Sequence, residues 1–303
     1  MADELAILVP VYQPYRWLAP FMQRGLDTFW KDHPPIFYCG LSADEAPGLA
    51  TLPLHDTALP RDWPAFVREA VEALLARGFS QCYLLLEEHL PLAECHAAHL
   101  NTTLPRLLAE LDAAYIGLMG WDNRRYTTRA PILDAARHHL MHLSIPAAPR
   151  FHLHPSLWRL EALRDCLDLV LRDPVHTPWR FEKVTERASA NLAARWKTGC
   201  YQVCGRALAA HPSTGARAWT QAAERFFFHK LMAASALLSG PALKRFWDIA
   251  GFDDFFYNGP YPMFFSGVMA KGGINPYFAR HIQKHPAHAA GLADKLAELP
   301  NRP

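Results

Sequence analysis

Residues 82–90 read CYLLLEEHL: Cys82 to Leu86 are uninterruptedly apolar, and two carboxylates and an imidazole, Glu87, Glu88 and His89, follow at once. The apolar half reads as a strand over roughly 81–87 buried on both faces. Isolated carboxylates are costly inside a core, so three ionisable groups belong at a strand terminus that meets water or a ligand. Alternation along an extended chain puts Glu87 and His89 on one side and Glu88 on the other. A strand that ends at Glu87 turns all three into a crevice.

Outward from this strand the pattern is regular. Leu5 to Val9 is a short apolar segment stopped by Pro10, and residues 15–30 carry Trp17, Phe21, Leu26 and Trp30 at helical spacing. IFYCG, 36–40, reads as a second strand. DWPAFVREAVEALLARG, 62–78, reads as a helix with Asp62 as cap, Pro64 in the first turn and Gly78 as its stop. LLAELDAAYIGLMGW, 107–121, supplies a helix and a strand ending near Gly120. Strands alternating with helices favour a mostly parallel central sheet with helices on both faces, an α/β fold. In such sheets ligands sit beyond the carboxyl ends of the strands.

The second half is less regular. FHLHP, 151–155, reads as a strand, SLWRLEALRDCLDLVLRD as a helix, and TPWRFEKVTERASANLAARW as a turn and helix. In the helix of 216–240, FFFHKLM, 226–232, suits burial against the sheet or a subunit partner, with docking on a membrane surface as the second reading. Residues 247–280 are rich in Phe, Tyr, Gly and Pro and read as an ordered wrap. The division expected is a main domain over 1–230 and a helical, aromatic-rich extension over 231–303 packed on it.

Composition narrows the function. The 303 residues carry 31 Lys and Arg against 29 Asp and Glu, and this near balance, without a basic stripe, gives no nucleic-acid footprint. Cys39, Cys82, Cys95, Cys166, Cys200 and Cys204 are scattered, several in apolar surroundings, as reduced packed thiols are. Cys200 and Cys204 are spaced for metal or disulfide chemistry, but no second Cys/His pair follows at zinc-site spacing. The acidic start MADELAILVPVY is not a signal peptide, and no run reaches the length of a membrane span. A cytoplasmic protein is expected, with a peripheral contact at the inner membrane face left open.

Glu87 and Glu88 offer oxygen ligands for Mg²⁺ or Mn²⁺, and His89 tilts the set towards Mn²⁺. Such an ion would neutralise charge on a departing diphosphate. Surface charge beside a helix cap near Pro91 is the plainer alternative.

AILVPVYQ resembles the first strand and loop of nucleotide-sugar-dependent glycosyltransferases of the GT-A fold, and YLLLEEHLPL resembles the strand leading into that fold's acidic metal motif. That family commonly has Asp-x-Asp where this chain has Glu87, Glu88 and His89. The order DWPAFVREAVEAL, YLLLEEHLPL, YIGLMGWDN, FHLHPSLWRLEAL and PWRFE resembles bacterial glycosyltransferase-like proteins of polysaccharide biosynthesis, over roughly residues 5–185.

The resemblance implies transfer of a sugar from a nucleotide-sugar donor to a hydroxyl of a surface-glycan precursor, lipopolysaccharide or capsule, with inversion. It implies that Pro10, Val11 and Tyr12 line the nucleotide pocket, Tyr12 bordering the base, and that Asp56 contacts base or ribose. Glu182 in TPWRFEKV is the expected catalytic base, with Trp179 and Phe181 to desolvate it and move its pKa, and Asp122 in GWDNRR is the alternative. Trp121 and Asp122 could instead bind sugar hydroxyls, and His154 could meet acceptor or diphosphate. Arg124 and Arg125 could offset donor phosphates.

Each role has a plain structural counterpart: loop aromatic for Tyr12, turn residue for Asp56, helix anchor for Trp63, helix-dipole carboxylate for Glu182. Mn²⁺ or Mg²⁺, a lipid-linked or free glycan acceptor and a homo-oligomer complete the expectation. Competing functions are a metal-dependent nucleotidyltransferase, which should have a glycine-rich phosphate loop where this chain has YQPYRW, and a noncatalytic carbohydrate-binding protein. A glycoside hydrolase needs two opposed carboxylates, which adjacent Glu87 and Glu88 do not establish. GxGxxG, GxxxxGK[ST] and GxSxG are all lacking.

Overall fold

The computed structural model describes residues 4–52, 63–118, 132–133, 139–143, 151–174, 178–187, 200–204, 256–257, 260–264, 267–270, 273–284 and 292. Strand β1, Glu4–Pro10, is the pivot. Its alternate side chains Ile7 and Val9 face one apolar cluster, with Leu18, Met22, Leu26 and Trp30, while Ala6 and Leu8 face a second, with Val67, Val71 and Leu74. A strand covered on both faces needs no polar positions, hence its continuous apolar run.

From β1 the chain passes through a 3-10 turn, Gln13–Leu18, into α1, Ala19–Phe29, where Pro20 lies in the first turn and sets the start. It returns as β2, Ile36–Cys39, parallel to β1. Helix α2, Trp63–Ala76, then crosses on the opposite face and delivers β3, Phe79–Leu84, to the other side of β1, again parallel. Gly78, at φ +90°, makes the turn between α2 and β3. Because β2 and β3 flank β1 and their connecting helices lie on opposite faces, the winding reverses at β1.

A π-helical turn, His99–Thr103, leads into α3, Leu104–Glu110, and β4, Tyr115–Gly117. Strands β5, Ile132–Leu133, and β6, His139–Leu143, form the far edge. Strand β7, Ser156–Arg159, continues into α4, Leu160–Leu171, and α5, Pro178–Arg187, with β8, Cys200–Cys204, beyond. The eight-stranded order is β2-β1-β3-β7-β4-β8-β6-β5. β7 runs antiparallel to both β3 and β4, β4 and β8 are parallel, and β6 and β5 are antiparallel in turn.

The sheet is therefore mixed, with helices on both faces and helix α6, Pro276–Lys284, near the C-terminus, the form of a GT-A-like α/β fold. FHLHP is not itself the strand. Its apolar-polar alternation mimics one, but Pro155 has no N–H to give to a ladder, and pairing begins at Ser156, opposite Leu84. Strand β3 likewise stops at Leu84, before the acidic pair. Cys200 and Cys204 are the two ends of β8, an extended span of about 13 Å, which rules out a disulfide between them.

Short strands β9, Phe256–Tyr257, and β10, Met263–Phe264, form one hairpin pair, and β11, Met269–Ala270, and β12, Gly273–Ile274, another. This segment packs on the α1/α3 face: Trp30 meets Tyr83 and Tyr261 edge-on, with ring centroids 5.1 and 5.9 Å away. On the opposite face Trp158 stacks on Phe151 at 5.3 Å and meets Phe181 edge-on at 6.0 Å. Each such ring removes most of its area from water, worth about 1.5–3 kcal/mol. The helix expected over 216–240, with FFFHKLM, lies outside the described residues.

Candidate active site

The reversal of winding at β1 opens the sheet between the carboxyl ends of β1 and β3, where α/β proteins hold ligands. Two loops meet there. After β1 the chain runs Val11–Tyr12, and after β3 it runs Leu85 to His89. The backbone N–H of Tyr12 donates to Oε1 of Glu87 over 3.1 Å and ties the loops together. Pro10 closes the strand opposite Cys39, and Val11 is buried, its N–H donating to the Cys39 carbonyl. Gly40, at φ +84°, is required here: a Cβ at that position would lie 2.4 Å from the Val11 carbonyl oxygen. The ring of Tyr12 is 40% exposed and meets Tyr15 edge-on.

Glu87 is only 5% exposed. Burial pushes its pKa up to about 8, against the N–H groups of Glu87 itself and Tyr12, which favour the anion. Glu88 turns elsewhere. Its carboxylate lies against Gly267, where an added Cβ would come within 2.9 Å of Oε2, and it accepts the Met269 backbone N–H; burial still pushes it up to about 7. Its own carbonyl takes the N–H of Val268, and the hydroxyl of Tyr261 donates to the carbonyl of His89 over 2.7 Å.

The antiparallel entry of β7 brings a second set of groups to this edge. Segment 151–155 precedes β7, so His154 stands beside His89, ring centroids 5.4 Å apart, and His152 follows at 6.1 Å from His154. Helix α5 supplies Glu182, whose Oε1 accepts the Leu153 N–H at 3.3 Å and lies 3.8 Å from Nδ1 of His152. The run is thus Glu182, His152, His154, His89.

Burial, then the neighbouring His154, hold His89 well below the usual imidazole range, and its Nδ1 has no hydrogen-bond partner among the described residues. Burial, then His152, lower His154 to about 4, although Glu182 pulls the other way. The sequence suggested that Trp179 and Phe181 would desolvate Glu182 and move its pKa. Burial does act upwards, but the nearby imidazoles of His152 and His154 and the hydrogen bond from the Leu153 N–H outweigh it, and the carboxylate is held low. Glu182 is therefore ionised at neutral pH.

Of the residues singled out in the sequence, Tyr12, Glu87 and His89 meet at one lip, and His154 links His89 to the pocket of Glu182. Trp63 is a buried anchor of α2 that meets Phe181 edge-on at 6.1 Å. Asp56, Trp121, Asp122, Arg124 and Arg125 lie outside the described residues, as do Asp62 and the side chain of Trp179. His152 carried no assigned role in the sequence; its trace there was the HLH alternation immediately before Pro155. The grip of residues 267–269 on Glu88 left no local trace at all.

Glu87, Glu88 and His89 are not gathered as a cation seat. Among the described residues no three His, Cys, Asp or Glu side chains converge as a metal cluster. The two carboxylates are engaged by backbone N–H groups from different segments. These side chains alone do not fit Mn²⁺ or Mg²⁺.

No family model matches the chain, and no curated protein matches it. Two solved structures have a similar course at low similarity. One is a mannose-1-phosphate geranyltransferase from Thermus thermophilus, 13% identical, TM-score 0.33, over 67% of this chain and 74% of that one. The other is a mannosyltransferase from Pyrobaculum calidifontis in complex with GDP-Man and Mn²⁺, 13% identical, TM-score 0.38, over 98% of this chain and 88% of that one. Among the described residues no helix is long and apolar enough to cross a membrane.

Proposed function

We propose that this protein is a glycosyltransferase that moves a sugar from a nucleotide-sugar donor to a hydroxyl of a bacterial surface-glycan precursor, with inversion at the anomeric carbon. The reading rests on one observation above others: the Tyr12 N–H to Glu87 hydrogen bond that joins the ends of β1 and β3 where the winding reverses. The resemblance of AILVPVYQ and YLLLEEHLPL to GT-A enzymes falls on the same two loops. Donor nucleotide is assigned to this lip, with Pro10 and Val11 forming its buried floor, the exposed Tyr12 ring bordering the base, and Asp56 and Trp121 as further contacts.

Glu182 is the proposed base. Held ionised beside two imidazoles, it takes the proton from the acceptor hydroxyl as that oxygen attacks the anomeric carbon and the nucleoside diphosphate departs. Asp122 is the alternative base. Residues 231–303 are read as an extension packed on a transferase domain of 1–230, a reading supported by the backbone bonds from Leu92 to Pro262 and from His96 to Pro260. The protein is assigned to the cytoplasm, with a peripheral contact at the inner face of the membrane left open.

A panel of UDP-, GDP- and CMP-sugars, followed by calorimetry and by product NMR, tests the reading. One donor class should bind, Glu182→Gln should lower turnover by about 100-fold or more with little change in donor KM, and the product should carry the inverted anomer. Retained configuration, or undiminished turnover in Glu182→Gln, would overturn the assignment of the base. Mn²⁺ and Mg²⁺ titrated into the same panel test whether a donor diphosphate completes a seat that these side chains alone do not form.

A further inference from the structure

We propose that His152 is a positioning residue for Glu182: its imidazole, together with the Leu153 N–H, fixes the carboxylate in the orientation and ionisation state needed to accept a proton. The proposal rests on Glu182 being the base, but its first test does not require an active enzyme.

The geometry has three parts. Oε1 of Glu182 faces two nitrogens from one segment: the Leu153 N–H donates to it at 3.3 Å, and His152 Nδ1 lies 3.8 Å away, beyond hydrogen-bond distance. Segment 151–155 is itself immobilised, because Phe151 stacks on Trp158, the Pro155 carbonyl accepts the Leu118 N–H, and Ser156 is locked opposite Leu84 in the sheet. One side of His152 is backed by His154, and His154 by His89, which limits the directions the ring can take. Helix α5 is held from behind by Phe181, fully buried against Trp63 and Trp158. Both partners of the contact thus stand on packed elements, as a preorganised site requires.

A carboxylate that sits on a helix for structural reasons alone would need only solvent or the helix dipole. This one is met by a backbone donor and an imidazole from a segment 29 residues away in sequence. The imidazoles beside it, of His152 and His154, both favour its ionised form. When Glu182 takes up the proton of the acceptor, the same imidazole faces the neutral acid and holds it in place until the proton leaves.

The test is a carboxyl titration by NMR of the full-length protein carrying ¹³C-labelled glutamate, with Glu182→Gln used to assign the signal. In wild type the Glu182 carboxyl titrates below the ordinary carboxylate range. In His152→Ala the midpoint should rise by about one pH unit, and His152→Leu should behave likewise should the alanine variant fold poorly. Superimposable titrations in wild type and both variants would overturn the proposal.

With the donor identified from the panel, His152→Ala should lower kcat about 10-fold with donor KM unchanged, a split that a loss of packing does not produce. His152→Asn, whose side-chain amide reaches the position of Nδ1, should recover part of the loss. If Glu182→Gln is inactive while His152→Ala keeps full kcat and an unshifted titration, Glu182 remains the base and His152 has no role. If Glu182→Gln is fully active while the titration shifts as expected, the contact stands and the assignment of the base falls.

Discussion

Two glutamates at the same edge of the sheet respond to burial in opposite ways. Glu87 lies at the lip of β1 and β3 and meets only neutral backbone N–H groups, with the carboxylate of Glu88 nearby; desolvation wins and its pKa rises to about 8. Glu182 lies a short way along the edge and meets a backbone N–H as well as two imidazoles; there the partners win and its pKa falls. Burial alone therefore does not decide whether a carboxylate becomes an acid or a base. What decides it is whether a positive or potentially positive group is buried with it.

The sharpest way to break this comparison is Glu87→Gln, which keeps an oxygen for the Tyr12 N–H and removes the charge. The folded-state pKa of Glu87 is above its unfolded value, so the native protein binds the extra proton between about pH 4.5 and about pH 8. Wild-type stability should fall as pH rises through that window, and Glu87→Gln should not share the fall. At one pH unit per ~1.4 kcal/mol, the difference at pH 8.5 is on the order of a few kcal/mol in favour of the variant. Thermal melts of both proteins from pH 5 to pH 8.5 read it directly, and parallel curves would mean that Glu87 is already ionised in the neutral range.

A second perturbation acts on the grip at Glu88. Gly267→Ala places a Cβ 2.9 Å from Oε2 of Glu88 at a backbone φ of +74°, so both crowding and backbone strain oppose it. A loss of about 1–2 kcal/mol is expected, with faster amide exchange at Val268 and Met269. In a Glu88→Ala background the crowding is gone and the same substitution should cost less. Strict additivity of the two changes would show that Glu88 and Gly267 do not touch.

The readable part of the molecule is the part whose signals are local. Pro64 inside α2, Gly78 after it, the continuous apolar run of β1 and the apolar second half of β3 each act within a few residues, and the winding that creates the lip follows from their order. The cost of burying charge put the end of β3 at Glu87, whereas the strand stops three residues earlier, at Leu84. What local signals could not supply was the partner of each charged group. FHLHP and SLWR differ little in apolar pattern, and only pairing with β3, more than seventy residues earlier, decides that Ser156 begins the strand and that His154 falls beside His89. The same distance hid the role of His152 and sent Glu88, grouped with Glu87 in the sequence, to the backbone of Met269.

The smallest expected effect is the mirror image of the first. The folded-state pKa of Glu182 is below its unfolded value, so its stabilisation is present above the ordinary carboxylate range and is lost as pH falls through the folded value. Glu182→Gln should therefore be slightly less stable than wild type at pH 7, and the two should converge under acid. Because Glu182 is partly open to solvent, the gap should be much narrower than at Glu87. Introducing His152→Ala removes the imidazole that offsets desolvation. In that background Glu182→Gln should lose its penalty at pH 7, as the remaining carboxylate then resembles Glu87, buried with a backbone N–H and less positive charge beside it. Melts of the four proteins of this cycle at pH 7 measure the coupling. A cycle that closes with no coupling would show that the two glutamates differ for some reason other than the imidazole.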